Sequence, residues 1–315
     1  MSESYVDPWQ EYRTIGAKVK KRFMRKPNLS QASRELFALA ERLREEDCVP
    51  YSALCHLAVA RVQHQAGNPA GEIEGLEQAA RLFADAEKDK TKLGLPGFNQ
   101  NLASAIHCYG HAIKSLTEQK HNSLAGALCI ELGVKLFQLD RADEAVEHFE
   151  RGARLLDAEP HCKQFALAFL ARCQAKTGLL TQALQSIDEL WTYALKLHGE
   201  TTSGATGLIL KRCEMATVVL LLSLRALPNH MNGRQSHLMQ MYSSVGDPTE
   251  PLPKQSFLNA DEFLLLQSFV LAVQWKDAHA ADKILTDLLP LSDAFVALLG
   301  LDLVERLYDE DILDR

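Results

Sequence analysis

His107 and His111 stand four residues apart in a helical stretch, a spacing that presents two imidazoles on one face, where a metal ion could use them. No glutamate follows His107, and no third ligand sits at a matching interval, so surface or partly buried histidines are the expected reading. The chain has seven cysteines, Cys48, Cys55, Cys108, Cys129, Cys162, Cys173 and Cys213. Their number is odd, none forms a Cys-x-x-Cys pair, and most lie in apolar helical faces. That usage points to reduced, buried thiols in a cytosolic setting. There is no phosphate-cradling glycine loop, no Gly-x-Ser-x-Gly elbow and no dinucleotide fingerprint. Carboxylate pairs such as Glu45-Glu46 and Asp309-Glu310 fall on faces or ends where water solvates both charges. No catalytic residue, cofactor or metal is expected.

Charge supplies the other candidates. Lys and Arg total 34 against 41 Asp and Glu, a net of −7, which argues against a nucleic-acid partner. The basic residues are nonetheless concentrated in one segment, 7–26, which starts as a helix should, with Asp7 at the cap and Pro8 at the first position. Tyr12, Ile15, Val19 and Phe23 form its apolar stripe, and Lys18, Lys20, Lys21, Arg22, Arg25 and Lys26 occupy the other faces. The chain closes on acidic residues, Asp302, Glu305, Asp309, Glu310, Asp311 and Asp314. Each set is a solvated face in the plainest reading. Each is also a candidate partner-binding set, the basic one facing an acidic protein or an anionic membrane.

The elements that must position these residues are helices. The pattern is clearest from Ala127 to Leu156, two amphipathic segments hinged at Leu139-Asp140. Leu132, Leu136 and Leu139 recur on the first, with Gly133 beside Leu132; Ala145, Phe149 and Gly152 recur on the second. Small residues let two backbones approach, and Phe149 is expected to fill the groove to the next pair. This is the tetratricopeptide pattern, although Asp157 stands where that repeat usually has proline. It returns with Ala183 and Ile187 opposite Ala145 and Phe149, an offset of 38 residues. The fold class expected is all-α, a tetratricopeptide-like right-handed helical-hairpin solenoid, because such repeats bury their faces only by stacking.

One solenoid is expected over 1–315: a basic helix at 7–26, helix pairs over 28–198, a flexible linker at 199–207 and C-terminal helices over 208–315. The last part includes an irregular loop at about 228–256 with a short helix near 236–242. Val218–Leu222 and Phe263–Val273 carry more apolar surface than a lone array hides, and are expected to meet a partner. The polar N-terminal residues do not read as a signal peptide. The longest apolar run, Ala216–Leu224, is about half a membrane span.

The blocks YRTIGAKVKKRFMRKPN, VPYSALCHLAVAR, EQAARLF, RCEMATVVLLL and DEFLLLQSFVLA, spread in order between Tyr12 and Ala272, resemble the forty-kilodalton huntingtin-associated protein family, also called the factor VIII intron 22 protein family. The resemblance implies a non-catalytic helical protein of the cytoplasm and early endosome, with the nucleus as a further site. Its partner would be huntingtin, a large HEAT-repeat protein that clasps the smaller chain in a heterodimer and is stabilised by it. A further implied link is to an early-endosome Rab GTPase and endosome motility. A long proline- and alanine-rich insert known in the family is reduced here to Gly199–Gly207 and a short proline-containing loop. A different class remains open, a membrane-trafficking adaptor resembling the soluble NSF attachment proteins, its basic N-terminal helix on lipid.

Overall fold

The computed structural model describes residues 7–19, 28–95, 97–200, 204–244 and 256–313. Among them there are fourteen α-helices and no strand. The chain divides into two compact units, Met1–Pro160 and His161–Arg315.

The first unit holds α1 (Pro8–Val19), α2 (Leu29–Glu45), α3 (Val49–Gln65), α4 (Pro69–Lys92), α5 (Gln100–Glu118), α6 (Asn122–Gln138) and α7 (Ala142–Leu155). Each helix packs on the next in sequence. Their starts follow from local chemistry: the Asp7 carboxylate accepts from Trp9 N, and the Asn28 and Asn68 side chains accept from Gln31 N and Gly71 N. One closing turn recurs. Asp47, Gly67, Lys120 and Asp140 all have positive φ. The residue after each donates its N–H to a carbonyl five residues back, as Cys48 does to Leu43 at 2.8 Å and Arg141 to Leu136 at 2.9 Å. This six-to-one bond satisfies the orphan carbonyls of the helix end and reverses the chain within a few residues. The hinge expected at Leu139-Asp140 is one copy of it.

Within the hairpins, α2 and α3 run antiparallel, with Ser52 Oγ donating to Ala40 O and Gln63 Nε2 to Ser33 Oγ. Between α6 and α7, a Cβ placed on Gly133 would lie 2.9–3.0 Å from three carbons of the Phe149 ring, which is fully buried. The ring therefore rests on the glycine of its own hairpin, and this contact sets how closely α6 and α7 approach. Leu132, Ala145 and Phe149 are core, 1% exposed or less, and a Cβ on Gly152 would meet Ile130 at 3.2 Å.

A second relation links alternate helices. Arg81 on α4 donates through Nε and Nη2 to both carboxylate oxygens of Glu131 on α6, at 2.7 and 2.9 Å. Lys135 Nζ reaches Asp85 at 2.6 Å, and Lys88 Nζ reaches Gln138 at 3.3 Å. All three pairs are offset by fifty residues, so α4 and α6 run parallel and in register. Tyr109 on the intervening α5 donates to the same Glu131 at 2.8 Å. Burial pulls the Glu131 carboxyl up, and the bonds from Arg81 and Tyr109 outweigh it, leaving it below the usual range.

The second unit holds α8 (Pro160–Lys176), α9 (Leu180–Glu200), α10 (Gly204–Leu224), α11 (Gly233–Ser243), α12 (Ala260–Gln274), α13 (Ala278–Leu288) and α14 (Ala294–Leu313). Gly178 and Lys276 take the same positive-φ turn after α8 and α12. Ala183 and Ile187 lie in its core. Helix α10 is its axis, packed against α9, α11, α12 and α14. Every residue from Met215 to Leu222 is 7% exposed or less, so the apolar run expected to meet a partner is consumed by the unit's own core. The same holds for Phe263, Leu266, Phe269 and Val270 of α12; Leu264, at 50%, is the one exposed apolar residue of that stretch. Of the stretch expected as a linker, 199–200 continue α9, 204–207 open α10 with Thr206 only 3% exposed, and 201–203 lie outside the described residues.

Two polar clusters tie the remaining segments to this axis. Glu214 of α10 is fully buried and accepts from Tyr242 Oη at 2.7 Å, Ser256 Oγ at 2.8 Å and Phe257 N at 2.8 Å. Asp188 of α9 accepts from Asn232, Arg234 and Gln235 at 2.6–2.8 Å, anchoring α11 at its capping box. The Arg234 guanidinium also lies 4.3 Å from the centroid of the Trp191 ring.

Candidate partner-binding surface

The basic candidates fall mostly beyond the described residues: Lys20, Lys21, Arg22, Arg25 and Lys26 lie in 20–27. Lys18 is described, and its Nζ contacts both oxygens of Glu35 on α2, at 2.8 and 2.6 Å. That bridge joins α1 to α2, so Lys18 has a structural partner inside the chain. Among the acidic candidates, Asp302 pairs with Arg306 and Glu310 with Arg225. Asp311 is half-buried, and Asp314 lies outside the described residues. Glu305 and Asp309 are exposed.

The geometry of α14 gives those two carboxylates a setting. Leu298, Leu301 and Ile312 are 65%, 47% and 69% exposed, and with Glu305 and Asp309 they recur at intervals of three and four residues. They form one outward stripe, apolar at both ends and acidic between. The opposite face, with Val296, Leu299, Leu303 and Leu307, is core. In the first unit the turn after α4 exposes Leu93, Leu95 and Phe98, the last at 94%. Large apolar groups grouped on a surface in this way mark interaction sites more often than singly scattered ones do.

The groups singled out for chemistry are differently placed. His107 and His111 stack on the exposed side of α5 with ring centroids 4.5 Å apart. Among the described residues no cluster of three His, Cys, Asp or Glu side chains is arranged to hold a metal. The cysteines are unpaired. Burial pushes the thiols of Cys55, Cys108 and Cys129 up to about 11 and those of Cys173 and Cys213 up to about 12. They are protonated and unreactive at neutral pH. No described helix is long and apolar enough to cross a membrane.

One titrating group does carry a consequence. His56 on α3 is 3% exposed, its ring edge-on to Phe37 and its Nε2 3.7 Å from Glu41. Burial holds its pKa below the usual 6.5; Glu41 and Glu74 pull it up and Arg44 pushes it down. His148 on α7 is lowered by burial as well. Above about pH 6.5 both the folded and unfolded forms are neutral, and these groups leave stability unchanged. Below it the unfolded chain takes up protons that the folded one refuses, so stability falls until the folded pKa is passed. Urea titrations of the wild type should therefore show a falling midpoint from about pH 6.5 downward. His56→Gln should flatten its share of that slope, and parallel profiles would refute the assignment.

Over 341 aligned positions the chain is 30% identical to the 40-kDa huntingtin-associated protein of Mus musculus, covering 90% of this chain and 88% of that protein. The figures are the same for the protein of that name from Rattus norvegicus. An alignment longer than this chain's 315 residues means that the relatives carry residues with no counterpart here. No family model matches the chain. Identity at this level over nine-tenths of the length settles the relationship: the chain belongs to the family of the 40-kDa huntingtin-associated protein.

Proposed function

We propose that this chain is a non-catalytic scaffold that binds huntingtin. Membership of a family whose members are named as huntingtin-associated carries the reading. Helices that pack on their sequence neighbours support it, because stacked hairpins offer long side faces to a large partner. In this reading the hairpins are tetratricopeptide-like and wind right-handed. The chain pairs one-to-one with huntingtin, stabilises it, and links it in the cytoplasm to early-endosome motility through a Rab GTPase. The basic segment 18–26 and the acidic stripe of α14 are the proposed charged contacts, and the leucines beside Glu305 and Asp309 are the proposed apolar ones.

Co-expression with huntingtin followed by size-exclusion chromatography tests the proposal. The two chains are expected to co-elute as a one-to-one species; two well-folded proteins eluting apart would overturn it. Glu305→Lys with Asp309→Lys should slow association about tenfold at low salt and much less at high salt, since exposed interface charges act mainly on encounter rates. Unchanged rates at both salts would return the α14 carboxylates to solvent.

A further inference from the structure

The second unit contains a groove of about 390 Å³ between α8 and α10, floored by Ile187 and Leu190 of α9. That volume lies in the range of pockets that take ligands or inserted side chains, roughly 300–1,000 Å³. Its walls are apolar and aromatic. Phe165, 44% exposed, stacks on Phe169 with ring centroids 4.5 Å apart, and Phe295 and Ile209 line the same space.

His161 lines it too, and three further polar features set its chemistry. Arg172 and Arg212 both line the groove, and neither forms an ion pair among the described residues; the Arg172 guanidinium lies 5.3 Å from the centroid of the Phe169 ring. Asp293 also lines it, but its carboxylate accepts from Phe295 N and Val296 N at 3.1 and 3.0 Å, where the first turn of α14 offsets its charge. Gln164 also lines the groove, is only 3% exposed, and its Nε2 finds no hydrogen-bond partner among the described residues. A buried donor left unmade is costly, and native chains retain few of them. The groove thus offers an apolar floor, two guanidinium groups outside any ion pair among the described residues and one unmet donor.

We infer that this groove binds a segment of a partner polypeptide in which a large apolar side chain stands next to Asp or Glu. The apolar side chain would lie against Phe165, Phe169 and Ile187. The carboxylate would meet Arg172 or Arg212, whose planar forks suit carboxylates. Gln164 Nε2 would donate to a backbone carbonyl of the segment. Phenylalanine and arginine are also both enriched at protein interfaces relative to the rest of the surface. The inference goes beyond the huntingtin reading, because the groove sets the segment's chemistry whichever protein supplies it.

Phage-displayed random twelve-residue peptides, selected on the full chain and counter-selected on the Arg172→Glu, Arg212→Glu double variant, test this directly. Enriched sequences are expected to place Asp or Glu within four residues of Leu, Phe or Trp. The best of them, synthesised with a fluorophore, should bind the wild type at least tenfold more tightly than Arg212→Glu by anisotropy. Arg212 is exposed and forms no ion pair among the described residues, so that variant should keep the wild-type melting temperature. Gln164→Met separates a binding role from a structural one: it removes the orphan donor, so the free protein should melt higher while the peptide binds several-fold more weakly. Enriched sequences without an excess of carboxylates, no sequence that depends on the groove, or equal affinity for wild type and Arg212→Glu would each overturn the inference. Co-elution with huntingtin is read separately, so a failure there leaves this outcome intact.

Discussion

Glu214→Ala should destabilise the second unit by about 3–5 kcal/mol, because it takes the shared acceptor away from three neutral donors at once. Glu214 is fully buried, and the change removes the acceptor of the fully buried Tyr242 Oη and of the part-buried Ser256 Oγ and Phe257 N together. Each unmet buried donor costs about 1–3 kcal/mol, and the void in the axis helix adds to that. Glu214→Gln separates the two contributions. It keeps the volume but turns an amide N–H₂ toward donors, so its cost should be intermediate, about 1–3 kcal/mol. Trp191 packs edge-on to Phe257 at 5.4 Å, so tryptophan emission in a urea titration reports on the segment concerned. Amide exchange at 256–263 should accelerate in both variants before the rest of α10 responds. If Glu214→Ala lost less than about 1 kcal/mol, the carboxylate would not be the anchor described here.

Phe149→Ala should cost about 4–5 kcal/mol, the upper end for deleting a buried phenylalanine. The size follows from what faces the ring. Gly133 has no side chain to move into the void, and its backbone is held in α6, so the cavity cannot collapse. The informative measurement is the double-mutant cycle with Gly133→Ala. In the wild type a new Cβ would sit 2.9–3.0 Å from the ring, an overpacking of about 1–3 kcal/mol that outweighs the roughly 1 kcal/mol gained in helix propensity. In the Phe149→Ala background the space is free, only the propensity gain remains, and the same substitution should stabilise. A change of sign across the cycle is the expected result. Additive effects would mean that glycine and ring do not set each other's position.

The helical hairpins were legible because their apolar residues recur at three and four and because small residues mark the close approaches. Gly133, Ala145 and Phe149 state both facts within seventeen residues. The turns that close the hairpins were legible only in part. Gly67 and Gly178 announce them, but Asp47, Lys120, Asp140 and Lys276 adopt the same left-handed conformation without a glycine to signal it. The apolar surplus of α10 is visible in the sequence, but its use is not. A continuous apolar run fits an interface or a helix enclosed on all sides, and only the packing of four neighbours decides between them.

The candidate surfaces were less accessible still. Glu305 and Asp309 could be picked out by charge, but the exposed leucines that give them a setting carry no mark separating them from core leucines on the same helix. The groove was invisible. Arg172 and Arg212 are forty residues apart and look, in sequence, like any solvated arginines. The orphan donor of Gln164 is a property of its surroundings and has no counterpart in local sequence.

The register between α4 and α6 has a mechanical meaning. Stacked helical hairpins held only by apolar contacts can slide a little along their length, because such contacts are non-directional. Here Arg81–Glu131, Lys135–Asp85 and Lys88–Gln138 act as rungs between two parallel rails. The next equivalent position along either rail is a full turn away, about 5.4 Å, so sliding must break every rung before any can re-form. A shift of α4 along α6 therefore has to break all three contacts together, which ties the two helices to one register.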